Sequence, residues 1–134
     1  MAEQRLPTLI DMEDADLTVR DPADDIRGRT VLDPHGDELG EVDGLLVDEA
    51  ENRVRFLRLA SGGLLGFGRT KRLIPVEAIT GIDEKTVRID RAKEQVADSA
   101  PYDPPLLDEH VFYQDLYQHY GVQPFWITGY RYPF

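Results

Sequence analysis

Residues 39–60 read LGEVDGLLVDEAENRVRFLRLA, two β-prone runs on either side of a short polar turn. Leu39–Asp48 is rich in Leu and Val and ends at the polar run Glu49-Ala50-Glu51-Asn52, after which Arg53–Ala60 is again β-prone. Two such runs across a short polar turn predict an antiparallel hairpin. The second run breaks simple alternation. Val54 and Phe56 share one face, yet Leu57 and Leu59 fall on the other. Either a bulge shifts the register near Phe56, or both faces are covered. Arg53, Arg55 and Arg58 then lie on a strand that the tail or a second subunit packs over.

Further strand signals lie on either side. Thr30–Leu32 ends at the turn Asp33-Pro34-His35-Gly36-Asp37. Downstream, Arg72–Ile79 reads RLIPVEAI and Thr86–Asp90 reads TVRID, with the turn Gly81–Lys85 between them. Five strands with mostly hairpin-length connections predict a largely antiparallel sheet. A small twisted sheet removes its edges by curling shut, so the expectation is a mainly β protein built on a small closed antiparallel β-barrel of five to six strands. Residues 1–23 form an acidic arm. Residues 1–25 hold eight carboxylates against Arg5 and Arg20, and the expectation there is a surface-wrapping or frayed segment with at most a helical turn over Leu9–Asp16. Residues 101–134 are read as a helix starting near Leu106, with Phe112, Leu116 and Tyr120 on one face, followed by an aromatic tail.

The bulk numbers bound the function. The chain has 134 residues, no cysteine and a formal net charge of −11. Thiolate metal sites, disulfides and cysteine nucleophiles are therefore absent, and the acidity disfavours DNA and anionic lipid. No apolar run approaches the roughly 20 residues of a membrane helix, and the N-terminus lacks signal-peptide layout. The expectation is a cytoplasmic protein without membrane insertion.

Gly63–Thr70 has the spacing G-x-x-x-x-G-R-T of a phosphate loop with arginine in place of lysine. Such a loop works because a helix N-terminus follows it. Pro75 and the β-branched residues around it predict a strand instead, so the match is read as accidental. Leu64, Leu65 and Phe67 beside Arg69, Lys71 and Arg72 form an apolar knob with three cations. It either plugs the barrel, with its cations paired to the acidic arm, or faces a partner. Asp33, His35, Asp37 and Glu38 are read as a turn, because a calcium loop needs more carboxylates at set positions. Asp115 and His119 are read as a surface pair, and no serine elbow or ranked carboxylate pair suggests catalysis. No metal or cofactor is expected.

The run from Arg27 to Ile79 resembles the PRC-barrel family, the barrel shared by the cytoplasmic part of the reaction-centre H subunit and the C-terminal half of the ribosome-maturation factor RimM. The matching elements are D-x-x-G-x-x-x-G at Asp33–Gly40, G-x-V-x-x-L-L-V-D at Gly40–Asp48, G-x-x-x-G-x-G at Gly62–Gly68, and I-P-V-E-A-I at Ile74–Ile79. The resemblance covers roughly residues 24–100 and implies a non-enzymatic binding and assembly module. The membrane helix of the one relative and the preceding domain of the other are not seen here. The expected function is a protein-interaction unit, most simply a homodimer. Its contact residues would be Leu64, Leu65, Phe67, Arg69, Lys71, Arg72, Tyr117, Tyr120, Phe125, Trp126 and Tyr130. The alternatives are a small-ligand or cofactor-binding barrel with a cavity lined by Leu46, Phe56 and Val76, and an RNA- or ribosome-associated factor, which needs a continuous basic face.

Overall fold

A computed structural model describes residues 9–11, 25–48, 51, 53–62, 69–102 and 109–133. The strands are β1 (Leu9–Asp11), β2 (Thr30–Leu32), β3 (Glu38–Asp48), β4 (Arg53–Ser61), β5 (Thr70–Pro75), β6 (Ile79–Ile82) and β7 (Thr86–Ile89). Two helices follow, α1 (Lys93–Ala97) and α2 (Glu109–Tyr120). The strands form one sheet in the order β5-β4-β3-β2-β7-β6, with β1 added beside β3.

The sheet is mainly β, as expected, but two features correct the closed antiparallel barrel. First, the pairing order ends at β5 and β6, which are not paired with each other. A single strand was expected over Arg72–Ile79; instead β5 stops at Pro75 and a 3-10 turn over Val76–Ala78 separates it from β6. Pro75 has no N–H to extend a ladder, and the turn redirects the chain before β6 begins. Second, β2 and β7 run parallel, Thr30 opposite Thr86 and Leu32 opposite Arg88.

One-residue register shifts curl the sheet. On β4, Leu46 faces Phe56 and Val47 faces Val54, so Arg55 is the extra residue. This is the bulge that the broken alternation signalled, and it explains the two-faced pattern. Arg55 and Phe56 point together toward the C-terminal segments, while Val54 and Leu57 point together toward a cleft on the other side. Both faces are thus covered, and no second subunit is needed to cover either. A matching shift on β3 leaves Asp43 extra between Val42 and Gly44. Such bulges bend strands and increase their twist.

Helix α2 lies over the outer face of β4. Phe56, 0% exposed, meets Tyr117 at a ring separation of 4.9 Å and Tyr113 at 5.6 Å. Burying a side chain of that size contributes about 2–3 kcal/mol. Phe112, Leu116 and Tyr120 are also buried, as the helical spacing predicts. Helix α1 was not anticipated; at five residues it is too short for a periodic signal. The helical turn expected over Leu9–Asp16 is replaced at Leu9–Asp11 by β1, in which Leu9 pairs with Asp48 and Asp11 with Leu46. The exposed edge of β3 beyond β2 supplies the partner that a local turn would lack. Among the described residues, no helix is long and apolar enough to cross a membrane.

Candidate functional site

The C-terminal tail folds back onto its own sheet, and its docking point is the bulged Arg55. That side chain is 1% exposed. Its Nη2 donates to Asp48 Oδ2 at 3.0 Å and lies 3.4 Å from Glu51 Oε2. Its guanidinium carbon lies 4.2 Å from the ring centroid of Phe125, 5.3 Å from that of Tyr132 and 5.7 Å from that of Tyr130. A buried cation is tolerable only when paired and faced by polarisable groups, and here carboxylate and aromatic faces supply both. The tail is pinned further along: the Tyr130 hydroxyl donates to Glu77 Oε2, and the Tyr132 hydroxyl donates to the Val54 carbonyl at 3.2 Å.

Desolvation pushes the Tyr117 and Tyr130 phenols well above the ordinary tyrosine value, and the Glu77 carboxylate beside both adds to it. Each is therefore neutral at physiological pH. Tyr130 uses its proton on Glu77.

Beside the tail, an apolar cleft of about 840 Å³ opens to the surface. Leu45, Leu57 and Val76 form its floor, while Val54, Ile79, Ile82 and the tail residue Tyr132 form its lip. The floor is sealed, with Leu57 at 0% and Leu45 at 2% exposure, whereas Ile82 is 45% exposed. Arg29, Asp83 and Glu84 supply the polar part of the lining. Arg29 Nη1 donates to the Asp83 carbonyl at 2.9 Å. The Asp83 carboxylate accepts from the Thr86 hydroxyl at 2.6 Å and from the backbone N–H groups of Lys85 and Thr86. Those bonds, the hydroxyl first, hold Asp83 below the usual carboxylate range. The cleft differs from the cavity expected from sequence: Val76 lines it, but Leu45 and Leu57 stand where Leu46 and Phe56 were expected. Alternation along β3 and β4 turns Leu46 and Phe56 to the opposite face.

The described members of the expected contact set fall in different places. Tyr117 and Tyr120, at 0% and 1% exposure, belong to the core of this chain. Phe125, Trp126 and Tyr130 are half-buried, with Phe125 and Trp126 5.1 Å apart and both edge-on to Tyr117. Leu64, Leu65 and Phe67 lie outside the described residues, as does the acidic arm apart from Leu9–Asp11. Arg69, Lys71 and Arg72 have partners among the described residues. Arg69 pairs with Glu41 at 2.9 Å, Lys71 pairs with Asp43, and Arg72 Nε reaches the Ser99 carbonyl at 3.4 Å. Arg58 shares Asp43 at 2.9 Å. The β3–β4–β5 register brings these acids within reach, which the sequence separation of 28 residues between Asp43 and Lys71 concealed.

The glycine-rich stretch leads directly into strand β5 at Thr70, so the helix that a phosphate loop requires is absent at that point. Asp33 organises its turn, accepting the N–H groups of His35 and Asp37 at 2.9 Å each and that of Lys93 at 3.2 Å. His119, expected as a surface partner of Asp115, bonds elsewhere: its Nε2 donates to the Gln95 carbonyl at 2.7 Å, joining α2 to α1.

The lining of the cleft departs from the expected one. Its signal was present in the β4 pattern, because the bulge that turns Arg55 toward the tail also leaves Val54 and Leu57 on one side. A family comparison places the PRC-barrel domain on residues 20–96, close to the span of roughly 24–100 suggested by the motifs. No curated protein matches the chain.

Proposed function

The chain belongs to the PRC-barrel domain family, and from that premise we propose that it is a non-enzymatic protein-interaction module that docks partners through its exposed apolar surface, the cleft foremost. The observation that carries this reading is the tail's position: folded back in cis, it contributes Tyr132 to one wall of an open apolar cleft. A tail spent on building a wall is a scaffold element, and recognition then falls to the surface it completes. The two-faced β4 and the aromatic tail are accounted for within one chain and so do not by themselves argue for a homodimer. Self-association remains the homotypic form of the same proposal. The RNA-associated alternative is weakened by the pairing of Arg58, Arg69 and Lys71 with Asp43 and Glu41, which leaves little basic face there.

The small-ligand reading is the second one, favoured by the volume of the cleft. Its sealed floor argues for a groove that receives side chains over a chamber that encloses a molecule.

The test is crosslinking capture with the full chain beside variants at its exposed large apolar positions, Ile82→Asp, Val111→Asp and Ile127→Asp. A truncation before α2 is unsuitable, because Tyr113, Tyr117 and Tyr120 are core residues. The expected result is a reproducible set of partners, this chain included, that is lost with at least one variant whose circular dichroism and melting are unchanged. No partner at all, or the same partners with all three variants, would overturn the proposal.

A further inference from the structure

The lip of the cleft coincides with an open sheet edge. β6 ends the pairing order, so among the described residues one side of Ile79–Ile82 has no strand beside it. Ile79 and Ile82 from that strand also line the cleft. An edge that offers unpaired backbone groups next to an apolar depression is the arrangement used in strand addition, where the main chain gives affinity and alternate side chains give specificity. Charge narrows the partner further. Among the described residues, two carboxylates, Asp83 and Glu84, line the mouth against one cation, Arg29, which is engaged with the Asp83 carbonyl. Arg88, opposite Gly81 on β7, is exposed and does not line the cleft. The whole chain carries −11.

We infer that the edge of β6 and the adjoining cleft form a groove for an extended peptide segment of a partner protein, one that lays an apolar side chain between Ile82 and Tyr132 and flanks it with Lys or Arg. This rests on the interaction-module reading and specifies its chemistry. The depth fits: with Leu57 and Leu45 closed off, the accessible surface is the lip, which suits one or two aliphatic anchors and not an enclosed ligand. The length fits as well, because the four residues of β6 can ladder with most of a strand of ordinary length, about six residues. Charge at the rim steers encounter and selects partners, while the anchor in the cleft holds them.

The probe is a blocked peptide of about six residues alternating Lys with Val or Ile, titrated by fluorescence anisotropy against the full chain. Saturable binding is expected. Glu84→Lys is expected to weaken it about tenfold and to reduce its salt dependence, since it reverses a rim charge. Ile82→Asp is expected to weaken it by about tenfold or more through the lost apolar wall. The same peptide with Glu in place of Lys, or with N-methylated backbone amides on alternate residues, is expected not to bind. Equal binding by the Glu or N-methylated peptides, indifference to Glu84→Lys, or binding of an apolar dye with no binding of the peptide would each overturn the groove. If partner capture persists with Ile82→Asp and is lost with Val111→Asp or Ile127→Asp, the interaction module stands and the groove alone falls.

Discussion

The guanidinium of Arg55 sits 4.2 Å from the ring centroid of Phe125, seventy residues further along the chain, and it does so because Arg55 is the extra residue of a β-bulge. Without that bulge, Arg55 and Phe56 would point to opposite faces of β4. With it, both face the C-terminal segments, one fixing the tail and the other fixing α2.

Arg55→Ala is therefore expected to be among the most damaging single substitutions. It takes the guanidinium from the buried Asp48 and the cation from under three aromatic rings. Breaking a buried pair by removing one partner costs about 3–5 kcal/mol. Urea unfolding checks this, and a loss below about 1 kcal/mol would mean that the tail does not depend on this anchor.

Two glycines separate a backbone constraint from a side-chain one. A Cβ on Gly40 would lie 2.2 Å from the Ala60 carbonyl oxygen, at φ +151°. A Cβ on Gly44 would lie 2.7 Å from the guanidinium of Arg58, the far end of a flexible side chain. Gly40→Ala is expected to cost about 2–3 kcal/mol, since a strand backbone must move. Gly44→Ala displaces Arg58 from Asp43 and costs about 1 kcal/mol or less, the range of a partly exposed ion pair. Thermal melts that reverse this order would contradict the β3–β4 register.

Stability is expected to fall at both ends of the pH scale. Desolvation raises the phenols of Tyr117, Tyr120, Tyr130 and Tyr132 above the ordinary tyrosine value of 10.0. A raised group holds its proton more tightly when folded, so its contribution is complete below pH 10 and is lost as pH climbs past that value. Tyrosinate absorbance should then rise together with loss of the folded circular dichroism signal. If the tyrosinate signal rises fully while the fold persists, these rings are not buried as described. At the acid end, the Arg27 side chain lowers Asp25, and the Thr86 hydroxyl leads the groups lowering Asp83. For Asp33, desolvation pulls upward but the N–H groups of Asp37, Lys93 and His35 outweigh it. Lowered carboxyls stabilise above their unfolded value of 3.8, and that contribution disappears as pH falls below it.

Tyr130→Phe removes the donor to Glu77 while keeping the ring over Arg55. The expected loss is about 1–2 kcal/mol, because the half-buried Glu77 carboxylate loses a charge-assisted bond. Limited proteolysis should detect faster cleavage after Arg131 in the variant. An unchanged rate would place the tail's hold on Arg55 and Tyr132 alone.

Much of the architecture was legible in local sequence. The runs around Asp48 and Arg53 mark a hairpin, the failure of alternation at Phe56–Leu57 marks a bulge, and Asp33–Gly36 marks a turn. Each is fixed by residues a few positions apart, so strand propensity and side-chain periodicity suffice. Helix α1 and strand β1 escaped because three to five residues carry no period and form only against a partner supplied by the rest of the fold.

Local sequence specifies a β-rich PRC-barrel domain followed by an amphipathic helix and an aromatic tail. The assembled fold is what leaves β5 and β6 unpaired with each other among the described residues, brings Lys71 to Asp43, and lays the tail over Arg55 while lending Tyr132 to a cleft. The physical reason is distance along the chain. The Tyr132 hydroxyl bonds the Val54 carbonyl across 78 residues, and such a contact depends on the curvature that several bulges add together. Periodicity records which way a side chain points on its own strand; what waits on the other side is set by the closure of the whole chain.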